Sequence, residues 1–386
     1  MTSYILSATR TPIASFMGPL SQVPAPKLGA HAIKEAIKQT NIDCEKIDEV
    51  IMGNVIQAGI GQAPARQASI FAEIPHSVPC TTVNKVCGSG LQSVIIGSQS
   101  IANQDAQLVV CGGMENMSLS PHLMPNSRTG YKFGPTEIKD SMQWDGLWDV
   151  YSNRTMGTCA EECAEKYNFT REQQDEFAVS SYKKSQHSID QGYFKNEISP
   201  ITVQAGRASI VCEQDDSPFK TSFEKVPKLK PAFIPNGTIT AANASSINDG
   251  AAALVIGNDK YRDMAKFKIV SYATHAQHPT WFTTAPVEAM KKCLNRAKMD
   301  IKQIDLFEIN EAFSVVTLAC MKELCISHER VNVLGGAIAL GHPLGATGAR
   351  LLVTLMNALN LNSGKFGMVS LCIGGGEGLA MIIEKL

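Results

Sequence analysis

The chain has 386 residues, with 35 Lys and Arg against 36 Asp and Glu, for a formal charge of −1. That balance argues against nucleic acid or a membrane surface as the partner, since either calls for a basic face. Hydrophobic residues make up 44% and charged residues 18%, the composition of a soluble globular protein with ample core and room for two or more domains.

Met1 to Arg10 lacks a basic stretch followed by a long apolar run, so no secretory leader is expected. No apolar stretch reaches the roughly 18 residues of a membrane span. The 11 cysteines are scattered and show no paired zinc spacing; Cys159 and Cys163 read as neighbours on one helix face. A chain this rich in core needs no disulfides, so a reducing, cytoplasmic setting is expected. The closing Glu384-Lys385-Leu386 is read as a strand end rather than a peroxisomal address.

In chain order, a helical pattern over Ala30 to Thr40 leads through Asp43-Cys44-Glu45-Lys46-Ile47-Asp48 to the apolar run Val50-Ile51-Met52. Cys87-Gly88-Ser89-Gly90 opens an apolar helix pattern over Leu91 to Ala102, followed by the strand-like Leu108 to Cys111. From Ser118 to Asn243 the chain is richer in charge, proline and turn residues. Within it Thr170 and Gln173 form a capping box that opens a helix over residues 170–185. A helical pattern over Pro286 to Lys298 then leads to Asp300-Ile301-Lys302-Gln303-Ile304-Asp305, 257 residues after the first such motif, and to Leu306-Phe307-Glu308-Ile309. His342, 255 residues after Cys87, opens a helix over residues 345–360, and Met368 to Cys372 reads as the next strand.

Features repeated in one order at a steady offset indicate an internal duplication. Strand–helix alternation with apolar strands implies α/β halves. Related halves packing about a pseudo-twofold axis would bring the loops of Cys87 and His342 together. Ser118 to Asn243 has no counterpart in the second half and reads as an inserted subdomain lying over the site.

Three glycine-rich turns carry the chemistry: Asn84 to Gly90 around Cys87, Gly335 to Gly348 around His342, and Ser370 to Gly378 around Cys372. Glycines let backbone approach a ligand and present N–H groups to it. A thiol at a helix start feels the positive end of the dipole, which favours thiolate. Two thiols and an imidazole suit acyl transfer with a proton relay. The structural alternatives are a small buried hydrophobe for either cysteine and a structural ring for the histidine. Asn310, after a strand, could donate to an oxyanion or serve only as a local cap.

These motifs match a known family. Ser7 to Pro12, Asn84 to Gly90, Cys111 to Ser118, Asn243-Ala244-Ser245, Asn248 to Ala251, Asn310 to Phe313 and the loops of His342 and Cys372 all stand in the order found there. The chain resembles the thiolases, coenzyme A-dependent acyltransferases that make or split 3-ketoacyl thioesters. The resemblance implies two similar βαβαβαββ halves forming a five-layered α/β/α/β/α core with an inserted loop domain. Residues 1–117 with about 244–264 would form the first half, 118–243 the insert and 265–386 the second half.

By the same resemblance Cys87 is the nucleophile, His342 its base and Cys372 a second proton-handling group. Asn310 would fix a water that forms one oxyanion hole with His342, and the N–H groups of Cys87 and Gly374 would form the other. Ser245 would contact the pantetheine of coenzyme A, with Leu147, Met156, Phe233, Ala312 and Phe313 as further substrate contacts. No metal and no permanently bound cofactor is implied; acyl-CoA and coenzyme A are substrates. A homo-oligomer, dimer or tetramer, is implied, with Gly113 to Arg128 near a contact.

Three stretches depart from the short-chain members. Thr155-Met156-Gly157 stands where they have His-Met-Gly. Phe282 stands near a methionine position. An arginine near the adenine and phosphates is replaced within Asp215 to Lys220, so Lys220 would either take a phosphate contact or stand as a solvated surface lysine. The leading expectation is condensation of two acetyl-CoA or cleavage of acetoacetyl-CoA. The alternative is thiolysis of longer 3-ketoacyl chains. A decarboxylating condensing enzyme is disfavoured by the thiol of Cys372, and a non-catalytic binding protein by the presence of all four catalytic positions.

Overall fold

Two short runs 257 residues apart fold alike. The Asp43 carboxylate accepts from Glu45 N–H and opens a single 3-10 turn at Cys44–Lys46; Asp300 does the same from Lys302 N–H at Ile301–Gln303. Each turn feeds a buried strand, because the following residues are apolar and β-branched.

The computed structural model describes every residue except 207. The first half runs β1 (Tyr4–Arg10), α1 (Ala25–Lys38), β2 (Glu49–Gly53), α2 (Pro64–Phe71), β3 (Cys80–Val83), α3 (Ser89–Ala102) and β4 (Leu108–Asn116). The stretch between residues 118 and 243 contributes α4 (Met156–Tyr167) and α5 (Arg171–Asp190), and β5 (Asn248–Gly257) then completes the half. The second half runs β6 (Phe267–Ala276), α6 (Ala285–Ala297), β7 (Leu306–Ile309), α7 (Ser314–Leu324), α8 (Ala337–Leu340), α9 (Leu344–Leu361), β8 (Phe366–Ile373) and β9 (Glu377–Lys385).

The strands lie in the order β7-β8-β9-β6-β1-β5-β4-β2-β3, which reads alike outward from the centre. On one side β1–β5 and β5–β4 are antiparallel and β4–β2 is parallel; on the other β6–β9 and β9–β8 are antiparallel and β8–β7 is parallel. The counterpart of β3 shrinks to one parallel bridge, Phe307 to Val331. Among the described residues the two half-sheets are paired through Tyr4–Lys268 and Ile5–Phe267.

Strand side chains alternate faces, so each strand feeds two cores. Ala253 and Val255 pack under α1 and α2, while Leu254 and Ile256 face the central layer with α3 and α9. Met381 and Ile383 face that same layer from the other side, while Ala380 and Ile382 pack under α6 and α7. The result is α/β/α/β/α. Each fully buried Leu, Ile or Val contributes about 1.5–3 kcal/mol. Helix α9 is buried all round, as the central layer requires.

Glycine sets how closely the central helices meet. A Cβ on Gly90 would lie 2.8 Å from Ala349 N, and one on Gly348 would lie 2.3 Å from Leu91 N. A Cβ on Gly113 would reach 1.9 Å from Gly345 O. Several motif glycines therefore serve backbone-to-backbone contact between the halves, not presentation of N–H groups to a ligand.

In the inserted stretch both arms of the Thr170–Gln173 capping box form, and the helix runs on to Asp190, past the expected end at 185. Cys159 and Cys163 are both buried on α4. The insert is tied to β1 by Arg10, whose buried guanidinium meets Glu197 at 2.6 Å and Asp215 at 2.7 Å. Removing one partner of such a buried pair leaves a stranded charge and costs about 3–5 kcal/mol. Among the described residues no helix is long and apolar enough to cross a membrane.

Candidate active site

Cys87 lies between β3 and α3, and its position is enforced one residue earlier. Val86 has φ 46°, in the left-handed region, where a β-branched residue costs about 1–3 kcal/mol. Three bonds hold it there. Val86 N–H donates to Asn84 Oδ1 at 3.0 Å, Ser89 Oγ donates to Val86 O at 2.7 Å, and Lys85 N–H donates to Ser89 Oγ at 2.8 Å.

The helix starts at Ser89, so Cys87 precedes it rather than heading it. The expected thiolate-favouring environment is not found. Burial pushes the thiol up to about 11, against the N–H groups of Gly374 and Cys87 that face the sulfur; the charge of Glu115 adds to the rise. Desolvation outweighs the two N–H donors because it penalises the full charge of the anion.

His342 sits between α8 and α9. Gly341 before it has φ 109°, and a Cβ there would lie 2.2 Å from Asn248 Cγ. Asn248 Oδ1 accepts from His342 N–H at 3.1 Å. The ring contacts Thr347 Oγ1 through Nδ1 at 2.6 Å, and Thr347 donates its hydroxyl proton to Pro343 O at 2.9 Å. Thr347 oxygen must then accept from Nδ1–H, which leaves Nε2 unprotonated. Burial lowers the imidazole to about 3, with the Arg350 charge adding to it, so the ring is a neutral base.

Asn310 follows β7, where Asn310 N–H donates to Ser370 O at 2.9 Å. Its Nδ2 lies 3.4 Å from His342 Nε2, and its buried Oδ1 has no hydrogen-bond partner among the described residues. Cys372 is the penultimate residue of β8 and fully buried, which pushes its thiol well up; a charge on Cys87 raises it further. Gly375 and Gly376, at φ 91° and 88°, make the turn into β9 and free Gly374 N–H to face Cys87.

One apolar cavity of about 260 Å³ gathers Cys87, His342, Cys372, Gly374 and Ser245. The inserted stretch supplies Leu147, Met156 and Phe233 to its wall, and the second half supplies Phe282, Ala312 and Phe313. Phe313 meets Phe233 edge-on at 5.9 Å and Phe282 at 6.2 Å, which fixes that wall. Ser245 is seated by its own hydroxyl, which donates to Ala312 O at 3.1 Å. Asn310 does not line the cavity and meets His342 at Nε2.

Lys220 is not part of the cavity wall. Its ammonium meets Asp216 at 2.7 Å and also Ser15 Oγ. Thr347, Asn248 and Glu115 went unassigned in the sequence. All three stand in motifs named above, but a role as hydrogen-bond partner of a particular residue has no local signal.

The fold and cavity define a duplicated α/β protein in which two thiols and a neutral imidazole meet in one apolar pocket. Residues 3–260 match the family model described as thiolase, N-terminal domain, and residues 263–385 that described as thiolase, C-terminal domain. The chain belongs to the thiolase family. It is 48% identical to acetyl-CoA acetyltransferase 2 of Arabidopsis thaliana, covering 99% of this chain and 96% of that one. It is 46% identical to an acetyl-CoA acetyltransferase of Pseudomonas aeruginosa, covering 99% and 98%. The crystal structure of the Acat5 thiolase from Ascaris suum in complex with coenzyme A superposes with a TM-score of 0.96 at 45% identity, covering the whole of both chains.

Proposed function

We propose that this chain is an acetyl-CoA C-acetyltransferase, catalysing the reversible Claisen condensation of two acetyl-CoA to acetoacetyl-CoA and coenzyme A. The observation that carries this reading is the single cavity onto which Cys87, Cys372, Gly374 and the neutral His342 all open. The names of the full-length relatives agree with it.

Because burial disfavours both thiolate and imidazolium, the Cys87–His342 pair rests neutral. The proton moves from sulfur to Nε2 as sulfur attacks the thioester carbon. The departing coenzyme A takes that proton and leaves an acyl-Cys87. Cys372, its own proton relayed to His342, then removes a proton from the α-carbon of the second acetyl-CoA. The carbanion attacks the acyl carbon, and His342 returns the proton to the released Cys87. The N–H groups of Cys87 and Gly374 receive the acyl oxyanion, and Asn310 with His342 serves the enolate of the second substrate through a water. Ser245 and the phenylalanine wall hold the pantetheine and acyl parts. The chain acts as a homo-oligomer.

The test is thiolysis of acetoacetyl-CoA by free coenzyme A, in wild type and Cys87→Ala together. Activity in wild type and none in the variant is expected. A folded wild type that cleaves only a longer 3-ketoacyl-CoA would move the assignment to a β-oxidation thiolase.

A further inference from the structure

No step above uses Glu115, the penultimate residue of β4, whose side chain is fully buried. Its Oε1 accepts from Asn54 Nδ2 at 2.9 Å and Ile56 N–H at 3.2 Å. Its Oε2 accepts from Val55 N–H at 3.0 Å and Gly345 N–H at 2.8 Å. The first three donors belong to the loop after β2, in the first half. The fourth is in the first turn of α9, in the second half, three residues beyond His342. One carboxylate thus joins the two halves where the loops of Cys87 and His342 converge.

The packing around it is consistent. Val55, Ile56 and Leu344 share one apolar cluster with Cys87. Gly345 must lack a side chain, since a Cβ there would lie 2.9 Å from Glu115 Oε2. Burial pushes this carboxyl up to about 7, against the N–H groups of Gly345, Ile56 and Val55, and Asp249 is the other carboxylate acting on it. An apolar side chain of like volume would fill the space without that desolvation cost. What it could not do is accept from four donors on two separate segments.

We propose that Glu115 is a positioning residue for acyl transfer, a staple that holds the start of α9, and so His342, in register with the loop that packs against Cys87. The proposal rests on the assignment of Cys87 as nucleophile and His342 as its base. Glu115 touches neither substrate nor the reacting atoms, so its loss acts on turnover through geometry. Desolvation is the main reason the Cys87 thiol stays protonated, and the negative charge of Glu115 adds to it. Removing the charge should therefore make the sulfur more reactive toward a small electrophile, even as the transfer itself slows. A merely structural role would move both rates down together.

The experiment compares full-length wild type and Glu115→Gln for kcat and KM in thiolysis of acetoacetyl-CoA. Iodoacetamide alkylation of Cys87 is followed in parallel by mass spectrometry of its peptide at about pH 9, above the carboxyl's value of about 7, so that Glu115 carries its charge in wild type. Expected are a fall in kcat on the order of 100-fold with KM little changed, and alkylation faster than in wild type. An unchanged kcat, or alkylation that falls with kcat, overturns the proposal. Glu115→Asp keeps the charge but shortens the reach, and serves if the glutamine variant does not fold. It should lose kcat while alkylating at the wild-type rate; wild-type kcat in this variant overturns the proposal. An inactive wild type counts against the functional assignment rather than against Glu115, and the alkylation arm alone then decides, with an unchanged rate in Glu115→Gln overturning it.

Discussion

Thr347 Oγ1 lies 2.6 Å from His342 Nδ1 and donates its own proton to Pro343 O. This one hydroxyl selects the tautomer in which Nε2, on the Asn310 side, carries the lone pair. Thr347→Val keeps the shape and removes the acceptor. The expected result is a fall in kcat of about 10-fold or more with little change in KM, and near-wild-type turnover in Thr347→Ser. Equal kcat in the valine variant would show that the tautomer is held some other way.

Cys87 is partly buried, and desolvation of its sulfur raises the thiol to about 11. Alkylation of the free enzyme by iodoacetamide should therefore keep rising with pH beyond 9, without a plateau near neutrality. A plateau with a midpoint below pH 8 would mean a resting thiolate–imidazolium pair and would refute the neutral resting state.

His342 also leaves a mark on stability. Its folded value is about 3 against an ordinary 6.5. Below 6.5 the unfolded chain binds a proton that the folded chain refuses, so stability is lost as pH falls from 6.5 toward 3. The slope is about 1.4 kcal/mol per pH unit in that window. Denaturant unfolding of wild type and His342→Asn at pH 7 and pH 5 measures it. The variant should lose less on acidification; equal losses would show that the ring protonates normally in the folded state.

Met156 opens α4 and stands in the cavity wall close to Gly374. Met156→Ala enlarges the acyl end. The ratio of kcat/KM for a six-carbon 3-ketoacyl-CoA over acetoacetyl-CoA should rise about 10-fold. An unchanged ratio would place the chain-length boundary elsewhere, with Phe282 the next wall residue to test.

Lys220 is more than half exposed and already meets Asp216. Lys220→Ala is expected to change the KM for coenzyme A by less than about 3-fold, because an exposed pair is worth little. A rise of 10-fold would assign this ammonium to a coenzyme A phosphate.

Much of the architecture was legible before folding. The repeat of Asp43 to Asp48 at Asp300 to Asp305 announces paired segments, and the Thr170–Gln173 box announces α5, because caps and periodicity act over a few residues. Cys87, His342 and Cys372 could be singled out because each stands in its own glycine-rich turn. Val86 in the left-handed region was not legible, since nothing local marks a β-branched residue for that conformation. Glu115 was not legible either, because its four donors come from two segments, one of them 230 residues away.

The amino-acid order by itself indicated several of the helices and strands, the duplication and the three glycine-rich turns that hold Cys87, His342 and Cys372, all of which rest on short-range pattern. Only the tertiary structure decided their chemical state. It turned an expected thiolate into a protonated thiol, kept His342 neutral with Nε2 free, and used Gly90, Gly113 and Gly348 for contact between halves. The physical reason is that desolvation and hydrogen-bond partnership depend on what is packed around a group, and here those neighbours come from the other half of the chain.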